Sequence, residues 1–290
     1  MSKKISVLLA TYRKGGLDIS FSGLTHQTMP KEDWELILVD VWWMERSTTV
    51  RNYLGNKIDY THCYPARTLW PVDSVNMHRN SAIALAEGEL CIFFCDYMYV
   101  RPDYLERMWG QYQQSKPATP IAPHRYWDYP PVNRNWEREI AGISIFEKWW
   151  EPSDLKSLWN RGQDADPKLQ LQAGGITGMY FHAKNESARL DALLATNGND
   201  EAFDGGHNNS DIEIGCRLER NGNRLVLDPT NIGEIVQVRE FYPIARRTKT
   251  LEEDLNYYNA ISSQVRANNT YNLAEFREEQ LKWKHAQRQH

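Results

Sequence analysis

Short apolar runs alternate with longer amphipathic stretches through the first hundred residues. The runs with the length and β-rich composition of buried strands are "KISVLLAT" at 4–11, "WELILVD" at 34–40, "IDYTHCY" at 58–64 and "LCIFFCD" at 90–96. Between them, helical patterns predict helices from about Leu17 to Gln27, Ser74 to Ala86 and Pro102 to Gln114. This alternation is typical of βαβ units, and it predicts a parallel sheet with helices on both faces.

The pattern changes after about Ala118. A segment rich in Trp, Tyr and Pro has no clear periodicity, and we interpret it as an irregular insert beside a site. Helices are predicted again from Glu186 to about Ala195 and from Asp211 to Arg220. Beyond Leu251, charged amphipathic patterns predict a tail of two helices. We expect this tail to brace the domain, with a homodimer contact between two copies of the chain as the alternative.

Composition and charge exclude several classes of protein. The chain has 290 residues, of which 41% are hydrophobic, so it can close one large α/β domain or two smaller ones. A formal net charge of -4 gives no general attraction to nucleic acid or to an anionic membrane. No apolar run is long enough to span a bilayer, and the start lacks the pattern of a signal peptide. With four cysteines and no CxxC pair, we expect a soluble, cytoplasmic protein.

Polar side chains end three stretches of the predicted sheet. Thr11, Asp40 and Asp96 lie at the carboxyl ends of their strands, where ligands bind in open α/β sheets. Each acid could instead cap the helix that follows it. Three polar groups at equivalent positions favour a shared crevice.

Four blocks of the chain resemble the family 2 glycosyltransferases and their relatives with the GT-A fold. In the family's order they are "ISVLLATYRKGG", "WELILVDVWW", "MHRNSAIALAEGELCIFFCDYM" and "TNGNDEAFDGGHNNSDIEIGCRLERNG", within about residues 4–240. The resemblance implies an α/β GT-A fold, a Rossmann-like architecture of nucleotide-diphospho-sugar transferases with a mixed sheet flanked by helices. It also implies a GT-A domain over residues 1–245, made of a nucleotide-sugar-binding half (1–117) and an acceptor half (118–245). Residues 246–290 then form a helical C-terminal extension.

The resemblance implies that a nucleotide-sugar donor binds at the strand ends. The donor-binding residues expected from it are Thr11, Tyr12, Arg13, Asp40, Arg79, Asp96, Arg246 and Arg247. In the family, the acid matched by Asp40 faces uracil, which favours a UDP-sugar. Arg79 and the cluster around Arg246 and Arg247 could neutralise the diphosphate. A solvated surface loop is the alternative interpretation of that cluster.

The same resemblance implies a divalent metal, Mn²⁺ or Mg²⁺, bound through the family's DxD motif. Asp96 matches the first acid of this motif and is the expected metal contact. Met98 stands at the position of the second acid, and a thioether is a poor ligand for cations that prefer oxygen. The sequence therefore leaves two alternatives open, a divalent metal bound through Asp96 or fixed cationic side chains that take its place.

Catalysis and acceptor binding are expected in the second half of the chain. Asp211 matches the family's catalytic base, which would take the proton of an acceptor hydroxyl, although an N-cap role alone is the alternative. Glu213 could share this role, because Ser210 stands where the family usually has Glu. The residues expected to contact the acceptor are Trp149, Trp150 and His207.

The predicted function is transfer of a sugar from a nucleotide-sugar, a UDP-sugar being favoured, to an acceptor hydroxyl with inversion. A decayed module that binds a nucleotide or a glycan without turnover is the alternative, and a nucleotidyltransferase is the third. The acceptor stays open between a glycan, a lipid-linked sugar, a protein and a modified nucleic-acid base.

Overall fold

The computed structural model describes residues 3–13, 15–128, 166–206, 209–237 and 246–287, together with 153, 155, 159 and 160. Its first third alternates strands and helices, as the sequence pattern predicts. These elements are β1 (Ile5–Thr11), α1 (Leu17–Thr25), β2 (Trp34–Asp40), α2 (Trp43–Leu54), β3 (Tyr60–Cys63), α3 (Val75–Leu85) and β4 (Leu90–Phe94). β2 and β4 are buried along their whole length, because helices cover both faces of the sheet. The sequence pattern had not indicated α2.

Shorter elements follow β4. They are β5 (Met98–Tyr99), α4 (Tyr104–Ser115), β6 (Thr119–Ile121), β7 (His124–Asp128), β8 (Trp159–Asn160), β9 (Gly174–Ile176), β10 (Asn185–Arg189), α5 (Leu190–Ala195), α6 (Ser210–Arg220), β11 (Leu225–Leu227), β12 (Gly233–Gln237), α7 (Leu251–Ile261) and α8 (Leu273–Gln287). The predicted helices α1, α3, α4 and α6 and the two tail helices are confirmed, with ends that differ by a few residues.

The sheet is mixed, as the predicted fold class requires. Among the described residues, eight strands lie in the order β3-β2-β1-β4-β10-β6-β11-β9, and a second sheet has the order β5-β12-β7-β8. Strands β1 to β4 are mutually parallel, as the βαβ pattern of the first hundred residues predicts, whereas β10 runs antiparallel to β4. Thr11 pairs with Asp40 in the register of β1 and β2, so the polar strand ends share one edge.

The helix predicted from Glu186 to Ala195 is wrong in its first half. Residues Asn185–Arg189 form β10, and the helix covers only Leu190–Ala195. Glu186 is fully buried, and its carboxylate accepts hydrogen bonds from the backbone N–H groups of Lys184 and Asn185. Pairing with β4 and this local capping outweigh the helical pattern of the sequence, because tertiary contacts override a weak local propensity.

The two faces of the sheet bury separate apolar clusters. Val7 and Leu9 of β1 pack in one cluster with Leu17 and Tyr104, whereas Leu8 packs in the other with residues of α3. This division follows from the period of two along a strand. The four cysteines are free thiols.

The described part of the chain contains no helix with the length and apolar character that a membrane crossing requires.

Candidate active site

A cavity of about 300 Å³ opens at the carboxyl edge of the central strands. Its wall is built from the segments that follow β1 and β4, the first turns of α3 and α6, and the residues that lead into β10. The polar and charged side chains of the wall include those of Tyr12, Arg13, Asp73, Asn76, Arg79, Asp96, Lys184, Ser210 and Asp211. The fold therefore collects acids and cations from distant parts of the chain at the edge where ligands bind in α/β sheets.

Asp96 lies at the floor of the cavity, two residues beyond β4. Thr11 Oγ1 donates a hydrogen bond of 2.7 Å to one carboxylate oxygen, and the Arg13 guanidinium forms an ion pair with the other. Burial by itself lowers the pKa of Arg13, but the Asp96 carboxylate raises this pKa well above its ordinary value. The guanidinium also lies 4.3 Å from the centre of the Tyr97 ring. Thr11, Arg13 and Asp96 thus form one fixed group.

Asp40 lies behind this group and does not line the cavity. Its side chain is fully buried, where it accepts a hydrogen bond of 2.9 Å from the backbone N–H of Trp42. Arg46 lies 3.5 Å from Asp40 Oδ1, and His62 Nε2 lies 3.2 Å from Oδ2. The pKa of Arg46 lies below its ordinary value, because the lowering effect of burial outweighs the raising effect of the Asp40 carboxylate. Sequence reasoning missed both partners, because nothing in their local pattern separates them from surface residues.

Asp211 stands in the first turn of α6, at the cavity wall. Its Oδ1 accepts a hydrogen bond of 2.5 Å from Arg79 Nη1, while Arg79 Nη2 donates to the carbonyl oxygen of Ala183 at 3.2 Å. The Asp211 side chain is 29% exposed, and its Oδ2 has no hydrogen-bond partner among the described residues. Burial lowers the pKa of Arg79, but the Asp211 carboxylate raises it above its ordinary value. One carboxylate oxygen is thus fixed, and the other is available to a ligand.

Glu213 points away from the cavity, into the protein. Its carboxylate forms a two-pronged ion pair with Arg217, with distances of 2.8 and 2.7 Å, and only 1% of the residue is exposed. Arg217 in turn donates to the carbonyl oxygens of Thr196 and Gly198. On a helix, residues two apart face different directions. The structure therefore does not bring Glu213 together with Asp211.

Lys184 is a wall residue that sequence reasoning missed. It precedes β10, and its Nζ lies 2.8 Å from the Tyr126 hydroxyl oxygen. Burial by itself lowers the pKa of Lys184, but Tyr126, Cys95 and Asp211 raise it above the ordinary value of a lysine. No local motif in "GMYFHAK" marks this residue, because its position depends on β10 pairing with β4.

Of the remaining predicted residues that the structure describes, Tyr12 lines the cavity and Arg246 and Arg247 do not. Arg246 and Arg247 are exposed and do not line the cavity, although the Arg246 backbone bonds to residues 71 and 73. The Tyr12 ring lines the cavity, with the Arg13 guanidinium 5.3 Å from its centre. Trp149, Trp150 and His207 fall outside the described residues.

The residues around Asp96 do not fit a divalent metal. Both Asp96 oxygens are engaged by Thr11 and Arg13, so a cation already occupies the carboxylate. Met98, at the position of the second acid, is fully buried, and its sulfur packs against Gly233. Mn²⁺ and Mg²⁺ require several oxygen ligands, which this arrangement does not offer.

Another group of potential metal ligands lies behind Lys184. Ligand atoms of His124, Asp166, His182 and Glu186 lie within 4.8 Å of one another, and this group has the geometry to hold a metal ion. The buried ammonium of Lys168 lies 3.1 Å from Asp166 and forms an ion pair with Glu186. Lys168 therefore supplies positive charge to these carboxylates.

No family model and no curated protein matches the chain in sequence. Solved structures do match in fold. Residues 1–349 of S. aureus TarS, crystallised with UDP-GlcNAc, give a TM-score of 0.63 at 13% identity over 96% of this chain and 70% of that chain. GalNAc-T7 with UDP, GalNAc and Mn²⁺ gives 0.57 at 12% identity, over 97% of this chain and 56% of that chain.

The mannosyltransferase PcManGT from Pyrobaculum calidifontis, in complex with GDP-Man and Mn²⁺, is also similar. Its TM-score is 0.52 at 13% identity, over 83% of this chain and 59% of that chain. The chain thus spans little more than half the length of GalNAc-T7 and PcManGT. At such low identity a structural likeness is informative about the fold. Together with the mixed sheet and its flanking helices, these matches show that the chain has the GT-A fold, as the sequence resemblance predicts.

Proposed function

We propose that the protein is a glycosyltransferase that moves a sugar from a nucleotide-sugar donor, with a UDP-sugar favoured, to an acceptor hydroxyl. The observation that carries the proposal is the cavity, where Asp96, Asp211 and cationic side chains converge at the ligand-binding edge of a GT-A fold. Similar structures contain UDP-GlcNAc, UDP or GDP-Man, which supports a nucleotide-sugar as the donor. Membership of family 2 remains a proposal drawn from the sequence blocks.

Asp211 is the base in this proposal, and the reaction inverts the anomeric carbon. The acceptor hydroxyl attacks this carbon, its proton passes to Asp211 Oδ2, and the nucleoside diphosphate leaves with the electrons of the broken bond. Arg79 fixes Asp211 through Oδ1, so that Oδ2 stays directed towards the acceptor. A positioned carboxylate of this kind accelerates such a reaction about 10²- to 10⁴-fold.

Asp96 belongs to the donor side in this proposal. Its ion pair with Arg13 and its hydrogen bond from Thr11 give the cavity floor a fixed geometry before the donor arrives. Preorganised charges need no rearrangement during the reaction, which increases the stabilisation they provide. We also propose that Asp40 contacts the uracil base, as the matching acid does in the family. This contact requires Asp40 to give up its present contact with Trp42, Arg46 or His62.

A decayed module that binds a nucleotide or a glycan without turnover is the alternative. The burial of Met98 favours it, because the metal motif is incomplete. The fixed Asp211 at the cavity wall favours an enzyme, since a binding module has no need of a base. The acceptor side involves Trp149, Trp150 and His207 in our proposal, and the acceptor class stays open.

The deciding experiment measures donor hydrolysis and calorimetric binding with UDP-, GDP- and dTDP-sugars. We expect one UDP-sugar to bind and to be hydrolysed slowly to UDP in the absence of an acceptor. Binding without release of nucleoside diphosphate by any donor would instead support the module. Release of pyrophosphate from a nucleoside triphosphate and a sugar phosphate would point to a nucleotidyltransferase.

A further inference from the structure

Three cationic side chains line the cavity, and they differ in their partners. Arg13 forms an ion pair with Asp96, and Arg79 forms one with Asp211. Among the described residues, Lys184 Nζ donates a hydrogen bond to the neutral hydroxyl of Tyr126 and forms no ion pair with a carboxylate. The Lys184 ammonium group is partly buried at the cavity wall, where an anion in the cavity would give it an ion-pair partner. Its retention at a cavity wall points to an anionic ligand.

The fold holds Lys184 in place from both sides. Its backbone N–H donates 2.6 Å to Glu186 Oε2, while the hydroxyl of Tyr126 on β7 holds the ammonium group. Tyr126 also lies 3.1 Å from His124 Nε2, and His124 Nδ1 lies 3.0 Å from Asp166. The buried group around Lys168 therefore supports the residue that faces the cavity. Such support is what keeps a functional side chain in one geometry.

Lys184 stands next to the residues that carry the reaction. Arg79 donates to the carbonyl oxygen of Ala183, the residue before Lys184, and also holds Asp211. The pKa of Lys184 lies above its ordinary value, because Tyr126 and other nearby groups outweigh the effect of burial. The ammonium group is thus protonated at neutral pH. It places a full positive charge beside the proposed base and close to the donor's path.

We propose that Lys184 binds the diphosphate of the donor and stabilises the charge that develops on the departing nucleoside diphosphate, in place of a divalent metal ion. This inference rests on the proposed glycosyl transfer. As the bond from the anomeric carbon to the phosphate oxygen breaks, its electron pair stays on that oxygen, while the acceptor oxygen bonds to the carbon and its proton passes to Asp211. Lys184 keeps its proton and donates a hydrogen bond to the leaving phosphate.

The chemistry of the site explains why a lysine suits this role. Arg13 and Arg79 are committed to carboxylates, so each of these pairs is close to neutral overall. The Asp96 region does not fit a metal, because Arg13 and Thr11 engage the carboxylate and Met98 is buried. Lys184 is the remaining cation of the described cavity wall, and none of the described carboxylates forms an ion pair with it. A fixed ammonium provides the charge stabilisation that a leaving phosphate requires.

The test compares Lys184→Met with Lys184→Arg and with the control Lys57→Met. Lys57 is an exposed lysine that does not line the cavity, and its ammonium group lies 3.9 Å from the centre of the Tyr53 ring. Affinities for UDP and UMP are measured by calorimetry in EDTA. Hydrolysis of the UDP-sugar that the wild type turns over is measured in EDTA and again with Mn²⁺.

We expect wild-type hydrolysis to survive EDTA. Lys184→Met loses about 10- to 100-fold in UDP affinity, because a charge-assisted hydrogen bond is removed, and changes UMP affinity much less. Its kcat falls by about 10²-fold, the usual effect of removing one donor to a developing charge. Lys184→Arg retains most of both quantities, and Lys57→Met behaves as the wild type. Tyr126→Phe, which leaves the lysine but removes its anchor, gives an intermediate fall in kcat.

Tyr126→Phe also decides the question if Lys184→Met does not fold, since it removes a single hydroxyl. Two outcomes would overturn the role of Lys184 without affecting the proposed glycosyltransferase function. In the first, wild-type hydrolysis requires Mn²⁺. In the second, UDP affinity and kcat are unchanged in both Lys184→Met and Tyr126→Phe. If the wild type binds neither UDP nor GDP and turns over no donor, the proposed function is overturned, and the role of Lys184 with it.

Discussion

At the scale of single residues, Asp211 combines two properties that a base requires. Arg79 fixes one carboxylate oxygen at 2.5 Å, and the other oxygen of this cavity-lining residue has no hydrogen-bond partner in the described residues. A carboxylate tied at both oxygens would have to break a contact before it could accept a proton. The arrangement leaves Asp211 rigid and still able to receive the acceptor's hydroxyl group.

We predict that Asp211→Asn keeps donor binding but loses at least about 100-fold in transfer rate, because an amide can accept a hydrogen bond from Arg79 but cannot take up the proton. Initial rates and calorimetric UDP affinity measure the two effects separately. Asp191→Asn is the matched control, since Asp191 is also an acid in the first turn of a helix, with a side chain 76% exposed. An unchanged rate in Asp211→Asn would mean that Asp211 acts only as a structural partner of Arg79.

At the scale of elements, the last helix is held to the first half of the chain by buried charge. Lys284 of α8 is 1% exposed, and its Nζ lies 2.6 Å from Glu35 of β2 and 2.7 Å from Glu87. It also donates to the carbonyl oxygen of Leu85 at the end of α3. These contacts support the prediction that the tail braces the domain. The alternative, a homodimer contact through the same helices, remains a proposal.

We predict that Lys284→Met lowers the free energy of unfolding by about 3 kcal/mol or more, since it leaves Glu35 buried without its counter-ion. Urea unfolding followed by tryptophan fluorescence measures the change. Lys282→Met is the control, because Lys282 is an exposed lysine of the same helix, and we expect a change within about 0.5 kcal/mol. A double variant Lys284→Met, Glu35→Gln should recover part of the loss. Equal stability of the two single variants would show that the buried pair does not stabilise the fold.

At the scale of the whole molecule, the stability should depend on pH through buried neutral histidines. Burial lowers the pKa of His78 to about 4, although the nearby acids Asp73 and Asp40 raise it. Its Nε2 lies 3.0 Å from Thr68 Oγ1 and 3.1 Å from Ser74 Oγ, at the start of α3. Below its ordinary pKa the unfolded chain binds a proton that the folded protein does not, so stability falls as the pH falls from about 6.5 towards 4.

We predict that this one histidine contributes a loss of about 2 kcal/mol in the free energy of unfolding between pH 7 and pH 5. In His78→Gln this contribution disappears, so the variant's stability declines less steeply over the same range. Urea unfolding at several pH values gives the two slopes. The control is His26→Gln, because His26 is exposed and should leave the slope unchanged. Parallel curves for the wild type and His78→Gln would contradict the prediction.

The division into a GT-A domain (1–245) and a helical extension (246–290) is also a proposal at this scale. The extension contacts both halves of the proposed domain. Lys284 binds Glu35, and Tyr271 donates to Glu201 at 2.5 Å. The Arg67 guanidinium lies 4.5 Å from the centre of the Tyr271 ring and 3.2 Å from Glu201. We therefore infer that the extension folds together with the domain.

The local sequence pattern was enough to predict the strands and helices whose buried faces follow from the spacing of their own apolar residues. The strands at 5–11, 34–40 and 90–94, the helices α1, α3, α4 and α6, and the two tail helices agree with the predictions. The resemblance added the fold, and with it the expectation that Thr11, Arg13, Arg79, Asp96 and Asp211 meet. The structure brings Arg13, Arg79, Asp96 and Asp211 to one cavity and places Thr11 in a hydrogen bond with Asp96, while the roles of all five remain predictions.

Tertiary structure alone decided the features that depend on a partner distant in the chain. Glu186 lies in a strand because β10 pairs with β4 and because Lys168 neutralises its carboxylate. Glu213 faces inward because its carboxylate pairs there with Arg217, which is itself held by hydrogen bonds that it donates to the carbonyl oxygens of Thr196 and Gly198. Lys184 reaches the cavity because β7 presents Tyr126 beside it. A sequence pattern reports the period of burial along one segment, whereas the partner of a charge is fixed only when separate segments pack together.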